Sequence, residues 1–428
     1  MAGKLSNFLK TLGPGILFAS TAIGVSHLVQ STRAGAEYGF ELLWLILLTN
    51  LLKYPFFEYG SRYANATGTS LIDGYKRIGN WMLWLYFLIT IASMFFVTAA
   101  VGAVTAGFLD NLFGISTLFD NGDLITIIGL FVICLLILMI GKYNVLDKLI
   151  KIIGGTLLIS TLLAFVLTLI KGPSEPIAGF ETSDVGIGFM IALMGWMPTA
   201  IDLSAWNSLW TIERISETGY KPTLKETLLD FNFGYIISAL LSVCFVTMGA
   251  FLVFGTGKVM PDSSAGFANE VVNLYTITIG NWSYLIIAAA AFSIMFGTSI
   301  AVFDGYARSL ERASKLLFFS AENSSNKSDS RKLYVISLLI LTAGGFIIIW
   351  KFGSSLRNLV DLAMTISFLI APVIAIVNFR LVTGKYISKE ATPPLWLQII
   401  SWLGILFLIG FSAFYINLNF TKWIEAIF

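Results

Sequence analysis

A chain of 428 residues with 57% hydrophobic residues, 12% charged residues and a mean hydropathy of +0.82 carries about half the charge of a soluble protein. That excludes a soluble globular enzyme, a disordered chain and a nucleic-acid binder, and the net charge of +2 is too balanced for a polybasic partner surface. Two cysteines, Cys134 and Cys244, and one histidine, His27, exclude a disulfide framework and the usual zinc signatures, which leaves an all-α integral membrane protein.

Crossing the hydrocarbon layer takes about 20 apolar residues per helix. Eleven runs qualify, near 13–36, 42–66, 81–112, 123–141, 147–171, 185–211, 229–255, 283–310, 333–350, 357–380 and 395–417. They are continuously apolar rather than alternating, so strands are excluded. The first run follows Lys4 and Lys10 but has no small-residue cleavage site and outruns a signal peptide; it is read as a retained span. Inside it, Gly24-Val25-Ser26-His27 interrupts the apolar pattern, and Gln30, Ser31, Thr32 and Arg33 follow.

In the second span Lys53 and Glu58 are expected to snorkel or pair near the cytoplasmic end, as are Asp230 and Asp304 further on. Tyr54-Pro55 and Pro372 are expected to kink their helices. The sixth span is interrupted at Met194-Gly195-Trp196-Met197-Pro198-Thr199, with Asp202, Ser204 and Asn207 beyond. The stretch 320–332 (SAENSSNKSDSRK) reads as a solvated cytoplasmic linker. Asp361 opens the tenth span and is placed facing an external vestibule. Trp81, Trp84, Trp282, Trp396 and Trp402 fit interfacial belts.

With the N-terminus inside, twenty of the 27 basic residues fall on the cytoplasmic side and six on the other, Lys53 lying within a span. The positive-inside rule therefore predicts a multi-pass protein of the cell (inner) membrane, its N-terminus cytoplasmic and its C-terminus outside.

Proline removes a backbone donor and glycine weakens a helix, and non-helical backbone at membrane depth survives only against protein or a cavity. Two interrupted spans, five apart, each with polar residues at the break, predict an inverted five-plus-five repeat with a midplane site; an ordinary proline kink beside a glycine-containing span is the plainer alternative. On this reading the chain is one transmembrane domain: repeat one about 11–171, repeat two about 183–381, and an added helix about 395–417.

Several segments resemble a known family. Thr11-Leu12-Gly13-Pro14-Gly15-Ile16-Leu17, Tyr38-Gly39-Phe40-Glu41-Leu42-Leu43-Trp44, Asn50-Leu51-Leu52, Arg62 with Thr67-Gly68, Met197-Pro198 and Asp304-Gly305 resemble the Nramp family of divalent-metal transporters. The resemblance implies a LeuT-type fold and secondary transport of manganese- or iron-like ions. It also exposes departures. The family's Asp-Pro-Gly-Asn at the first break is Gly24-Val25-Ser26-His27 here, so the metal-binding Asp is Gly24 and the Asn is His27. The family's Ala before the sixth-span Met is Met194, its motif His is Thr199, and its acidic pair in the third span, linked to proton movement, aligns with Thr98 and Val101. A Nramp-related member with altered ion preference is implied.

The candidate substrate site comprises Gly24, Ser26, His27, Met194, Gly195, Met197, Thr199 and Asp202. His27, Met197 and Asp202 are the candidate metal ligands. His27 is alternatively a satisfied buried histidine, and Asp202 alternatively a partner for backbone or for an internal cation. Met194 is expected to pack or to narrow the pocket.

Hard divalent ions prefer carboxylate ligands, so weak manganese binding is expected, with Gly24→Asp plus His27→Asn restoring it. The first functional reading is therefore a transported metal cation at an altered site. The second is a small anion or organic solute on the same scaffold, since two half-helix N-termini favour negative charge. A non-transporting receptor ranks below these, because the cytoplasmic loops are short. No nucleophile–base constellation marks an enzyme. No resident cofactor is expected, and the partners are the bilayer and the transported solute, the chain acting as a monomer or weak homo-oligomer.

Overall fold

The computed structural model describes residues 11, 13–140, 143–176, 186–258, 260–319, 327–352 and 355–427. Among them there are helices and no strands. The first span is α1 (Pro14–Ala22), a π-helical turn (Ser26–Ser31) and α2 (Thr32–Tyr38). Then come α3 (Leu43–Thr67), a short α4 (Leu71–Ile78), α5 (Asn80–Phe113), the one-turn α6 (Ile115–Leu118), α7 (Gly122–Ile140) and α8 (Tyr143–Lys171). The sixth span divides into α9 (Ile187–Gly195) and α10 (Ser204–Thr218), joined through a 3-10 turn at Ile201–Leu203. The rest is α11 (Leu224–Leu252), α12 (Ser264–Ile279), α13 (Tyr284–Phe318), α14 (Lys327–Phe352), α15 (Leu356–Thr383) and α16 (Leu395–Ile427).

Helices or half-helix pairs therefore occupy all eleven expected stretches, and both expected breaks are present. Three details differ. Between the seventh and eighth spans α12 adds a helix, capped by the Ser263 hydroxyl on the Gly266 N–H, which packs on α5. The eighth span continues to Phe318, one amphipathic stretch beyond its apolar run. Of the expected linker 320–332, residues 320–326 lie outside the described residues, and from Lys327 the chain is already helix α14.

Local chemistry sets the helix ends. Ser70 with Asp73 and Thr223 with Glu226 form reciprocal capping boxes for α4 and α11, each satisfying two orphan N–H groups. Gly68, with φ of +66°, ends α3 in the left-handed conformation that glycine adopts freely; this is the physical reason for Thr67-Gly68.

Among the described residues seven helices are long and apolar enough to cross a membrane. In three of them, α7, α14 and α16, only 28% of the apolar window is buried, against 61–67% for α5, α11 and α13. The first three are a peripheral layer whose exposed Ile128, Leu136, Ile340 and Leu406 have hydrocarbon as their natural solvent. The others, with the broken spans, form the inside of the molecule. The five tryptophans assigned to interfacial belts are all exposed. These features describe a multi-pass membrane protein.

Candidate functional site

The two breaks meet across the core. Ser26, in the π-helical turn of the first span, directs its hydroxyl oxygen to within 3.0 Å of the Pro198 carbonyl in the second break and 2.6 Å of the Ala22 carbonyl. The second break lies against α15. A side chain on Gly195 would come within 2.1 Å of the Met364 carbonyl, so only glycine permits this approach. The indole of Trp196 donates to Ser367 of the same helix at 2.8 Å.

The candidate residues do not converge as one ligand set. His27 is fully buried but turned toward α11: Nε2 donates to the Ser238 carbonyl at 2.8 Å, and Nδ1 lies 2.7 Å from the Ser26 hydroxyl oxygen. Because a carbonyl only accepts, the proton is on Nε2, and both ring nitrogens are engaged by protein. Gly24 faces Thr298. A Cβ there would lie 2.8 Å from the Thr298 methyl and 3.0 Å from its hydroxyl, so the space where an Asp side chain would begin is filled. Met197 is fully buried. Among the described residues no three His, Cys, Asp or Glu side chains gather as a metal-binding group.

Met194, Gly195 and Thr199 do converge, through their backbone carbonyls, on a residue that was expected elsewhere. Lys53 is expected to snorkel or pair near the cytoplasmic end. It is 0% exposed, and its ammonium donates to the carbonyls of Met194 at 3.0 Å, Gly195 at 2.9 Å and Thr199 at 2.8 Å. The correction follows from arithmetic. Lys53 stands 14 residues before Thr67, the expected cytoplasmic end of the helix Leu43–Thr67, about 21 Å from it at 1.5 Å per residue. A four-carbon stem cannot cover that distance, so the charge must find partners inside. The sequence signal was an ionisable residue in mid-span, which is a functional hypothesis by default.

Asp202 lies in the 3-10 turn before α10, buried and within electrostatic range of Lys53. The Tyr306 hydroxyl approaches it at 3.4 Å. Asn378 ties this region to α15, donating to the Ser204 hydroxyl at 2.7 Å while accepting from Tyr75 at 2.8 Å.

The other charges expected near helix ends are also paired within the protein, with Glu58, Arg62, Asp304 and Arg33 buried and Arg308 and Asp361 partly exposed. Glu58 and Arg62 form a buried bidentate ion pair on α3, and Arg62 donates further to the Ala391 carbonyl at 2.7 Å. Asp304 holds Arg308 at 2.8 Å and accepts from Tyr334 at 2.8 Å, while Gly305 beside it makes room for Trp206, whose ring would be 2.3 Å from an added Cβ. Asp361 pairs with Arg33 at 2.9 Å and accepts from Gln30 at 2.8 Å, joining the first span to the tenth. Thr98 and Val101 are buried on α5, and the Thr98 hydroxyl has no hydrogen-bond partner among the described residues.

The profile of the family described as natural resistance-associated macrophage protein-like (Nramp) matches residues 15–417. An uncharacterized protein of Pasteurella multocida is 35% identical over 95% of this chain and 91% of its own length. A divalent metal cation transporter of Listeria monocytogenes is 22% identical, over 93% of this chain and 87% of its own. Among solved structures, a point mutant of the Eremococcus coleocola manganese transporter superposes with a TM-score of 0.71 at 14% identity, covering 97% of this chain and 88% of that one. The protein MhsT in complex with L-phenylalanine superposes at 0.60 and 13% identity, covering 93% and 98%. These likenesses show the LeuT-type fold. With a profile match from the first span to the eleventh and a relative 35% identical along nearly its whole length, this chain belongs to the Nramp family.

Proposed function

We propose that this protein is a secondary-active or facilitated transporter of the cell (inner) membrane that moves a metal cation by alternating access through a site altered from the family's. One bundle would rock against the other around the two breaks, with the N-terminus cytoplasmic and the C-terminus outside. The site would be lined by Gly24, Ser26, His27, Met194, Gly195, Met197, Thr199 and Asp202, with Met197 and Asp202 the side chains left to reach an ion. The carrying observation is the polarity of the second break. Carbonyls of Met194, Gly195 and Thr199 turn inward on one point, and a buried carboxylate, Asp202, lies in the 3-10 turn that follows them.

The same polarity counts against an anionic substrate. A half-helix N-terminus favours negative charge, but the approach to α10 already holds Asp202. Lys53 cannot serve an anion either, since its three donors are spent on carbonyls. A neutral or organic solute stays as a second reading, favoured by two observations: both nitrogens of His27 are engaged, and no carboxylate stands at the first break.

With Thr98 and Val101 standing where the family has its acidic pair, the family's proton route is absent at those positions, so any proton movement would use His27 or Asp202. Uptake into proteoliposomes, measured with manganese, other divalent metals, monovalent cations, small anions and organic solutes, tests the reading. Cation uptake with weak manganese transport is expected. Uptake of anions alone would sink it.

A further inference from the structure

Lys53 is buried charge that neither the family pattern nor the reading above uses. Its geometry specifies its charge state. Three carbonyl oxygens, which only accept, lie 2.8–3.0 Å from one nitrogen. An ammonium supplies three N–H donors, one for each. A neutral amine has two, and would turn its lone pair on the third oxygen.

The cradle exists for a reason of backbone chemistry. Met194 and Gly195 end α9, and the last carbonyls of a helix have no intrahelical donor and carry the negative end of its dipole. Thr199 contributes a third oxygen from within the break itself. Asp202 adds a carboxylate within electrostatic range, and the Phe57 ring, centred 5.9 Å from Nζ, presents its face to the charge. Oxygens so arranged are a cation site.

We infer that the second break is a binding site for a small cation of the primary-ammonium class, and that Lys53, tethered from α3, is its built-in occupant. The inference rests on the reading of the breaks as the central site. Its consequence is that a free cation reaches these carbonyls only when the Lys53 head is displaced, so the natural chain is its own competitor.

The test is binding to the purified full chain and does not require transport. Lys53→Ala removes the ammonium and its stem, leaving the cradle and, beside it, the volume of a propylammonium ion. Thermal unfolding is followed with n-propylammonium chloride, and with 1-propanol or sodium chloride at equal concentration as controls. The variant should melt below the natural chain, and propylammonium should recover most of the lost midpoint, by linkage to binding. Neither control should match it, and the natural chain should be unmoved. A Lys53→Ala protein that propylammonium stabilises no more than propanol does would overturn the inference.

Should Lys53→Ala fail to fold, Lys53→Met decides. It fills the stem's volume without the charge, so a melting point equal to that of the natural chain would show that the carbonyls need no cation. A lower one, unrecovered by propylammonium because the stem blocks entry, is the expected result. Rescue of Lys53→Ala without cation uptake by the natural chain would keep this site and discard the transport reading. Uptake without rescue would do the reverse.

Discussion

Gly24 shows how one position sets what the first break can hold. Its α-carbon faces Thr298, whose hydroxyl lies 2.9 Å from the Ser20 carbonyl and 3.1 Å from that of Ile294, so the threonine cannot swing away freely. Gly24→Asp alone should therefore cost about 1–3 kcal/mol through overpacking, and Thr298→Ala should recover most of it, as read by thermal unfolding. The expected gain in manganese affinity from Gly24→Asp with His27→Asn needs the same amendment. That pair by itself should bind manganese no better than the natural chain, because Thr298 crowds the new carboxylate and Lys53 still holds the carbonyls. Adding Thr298→Ala and Lys53→Ala should raise affinity by about tenfold or more, one carboxylate–metal contact being worth at least about 1.4 kcal/mol in a dry site. Calorimetry decides, and tight binding by the double variant alone would mean the site is laid out otherwise.

At the scale of elements, the Gly13-Pro14-Gly15 motif has a packing explanation. Asp230 of α11 accepts from the Gly13 N–H at 3.2 Å and the Gly15 N–H at 2.7 Å, capping α1 from a neighbouring helix, with Pro14 between them needing no acceptor. A Cβ on Gly15 would lie 2.0 Å from the Asp230 carbonyl, and one on Gly234 2.0 Å from that of Gly15, so the glycines are what bring the carboxylate within reach. Asp230→Ala would leave both N–H groups buried and unpaired, at about 1–3 kcal/mol each. Faster hydrogen exchange across 14–22 is the expected signature, with Asp230→Asn intermediate because one carbonyl oxygen remains. Exchange unchanged in Asp230→Ala would show that α1 is held by packing alone.

At the scale of the molecule, charges tie the first span to the tenth. Arg33 and Gln30 both engage Asp361, and Glu37 joins Arg33 to Arg357. On the alternating-access reading proposed above, opening a path toward the breaks at this end would require the cluster to part. The pair is partly exposed, so its release by Asp361→Asn should shift the balance by about 1–2 kcal/mol, on the order of tenfold in population. Labelling of a cysteine at Val29, which lines one small cavity together with Arg33, should rise accordingly, and an unchanged rate would remove the cluster from any gating role. Orientation is tested separately: a cysteine at Ser325 should react only from the cytoplasmic side.

Composition and run length determined the class and the eleven spans, because hydrocarbon demands about 20 apolar residues per crossing whatever the neighbours are. Gly24 to His27 and Met194 to Thr199 marked the breaks for an equally local reason, since glycine and proline act on the backbone that carries them. The partner of each buried polar group was not written locally. His27 could face either the break or α11, and only helix packing turned Nε2 onto the Ser238 carbonyl. Lys53 was visible as a charge in mid-span, but its acceptors lie more than 140 residues away in sequence. Freed carbonyls draw in whichever cation the fold brings near, and here α3, set against the sixth span, brings the chain's own.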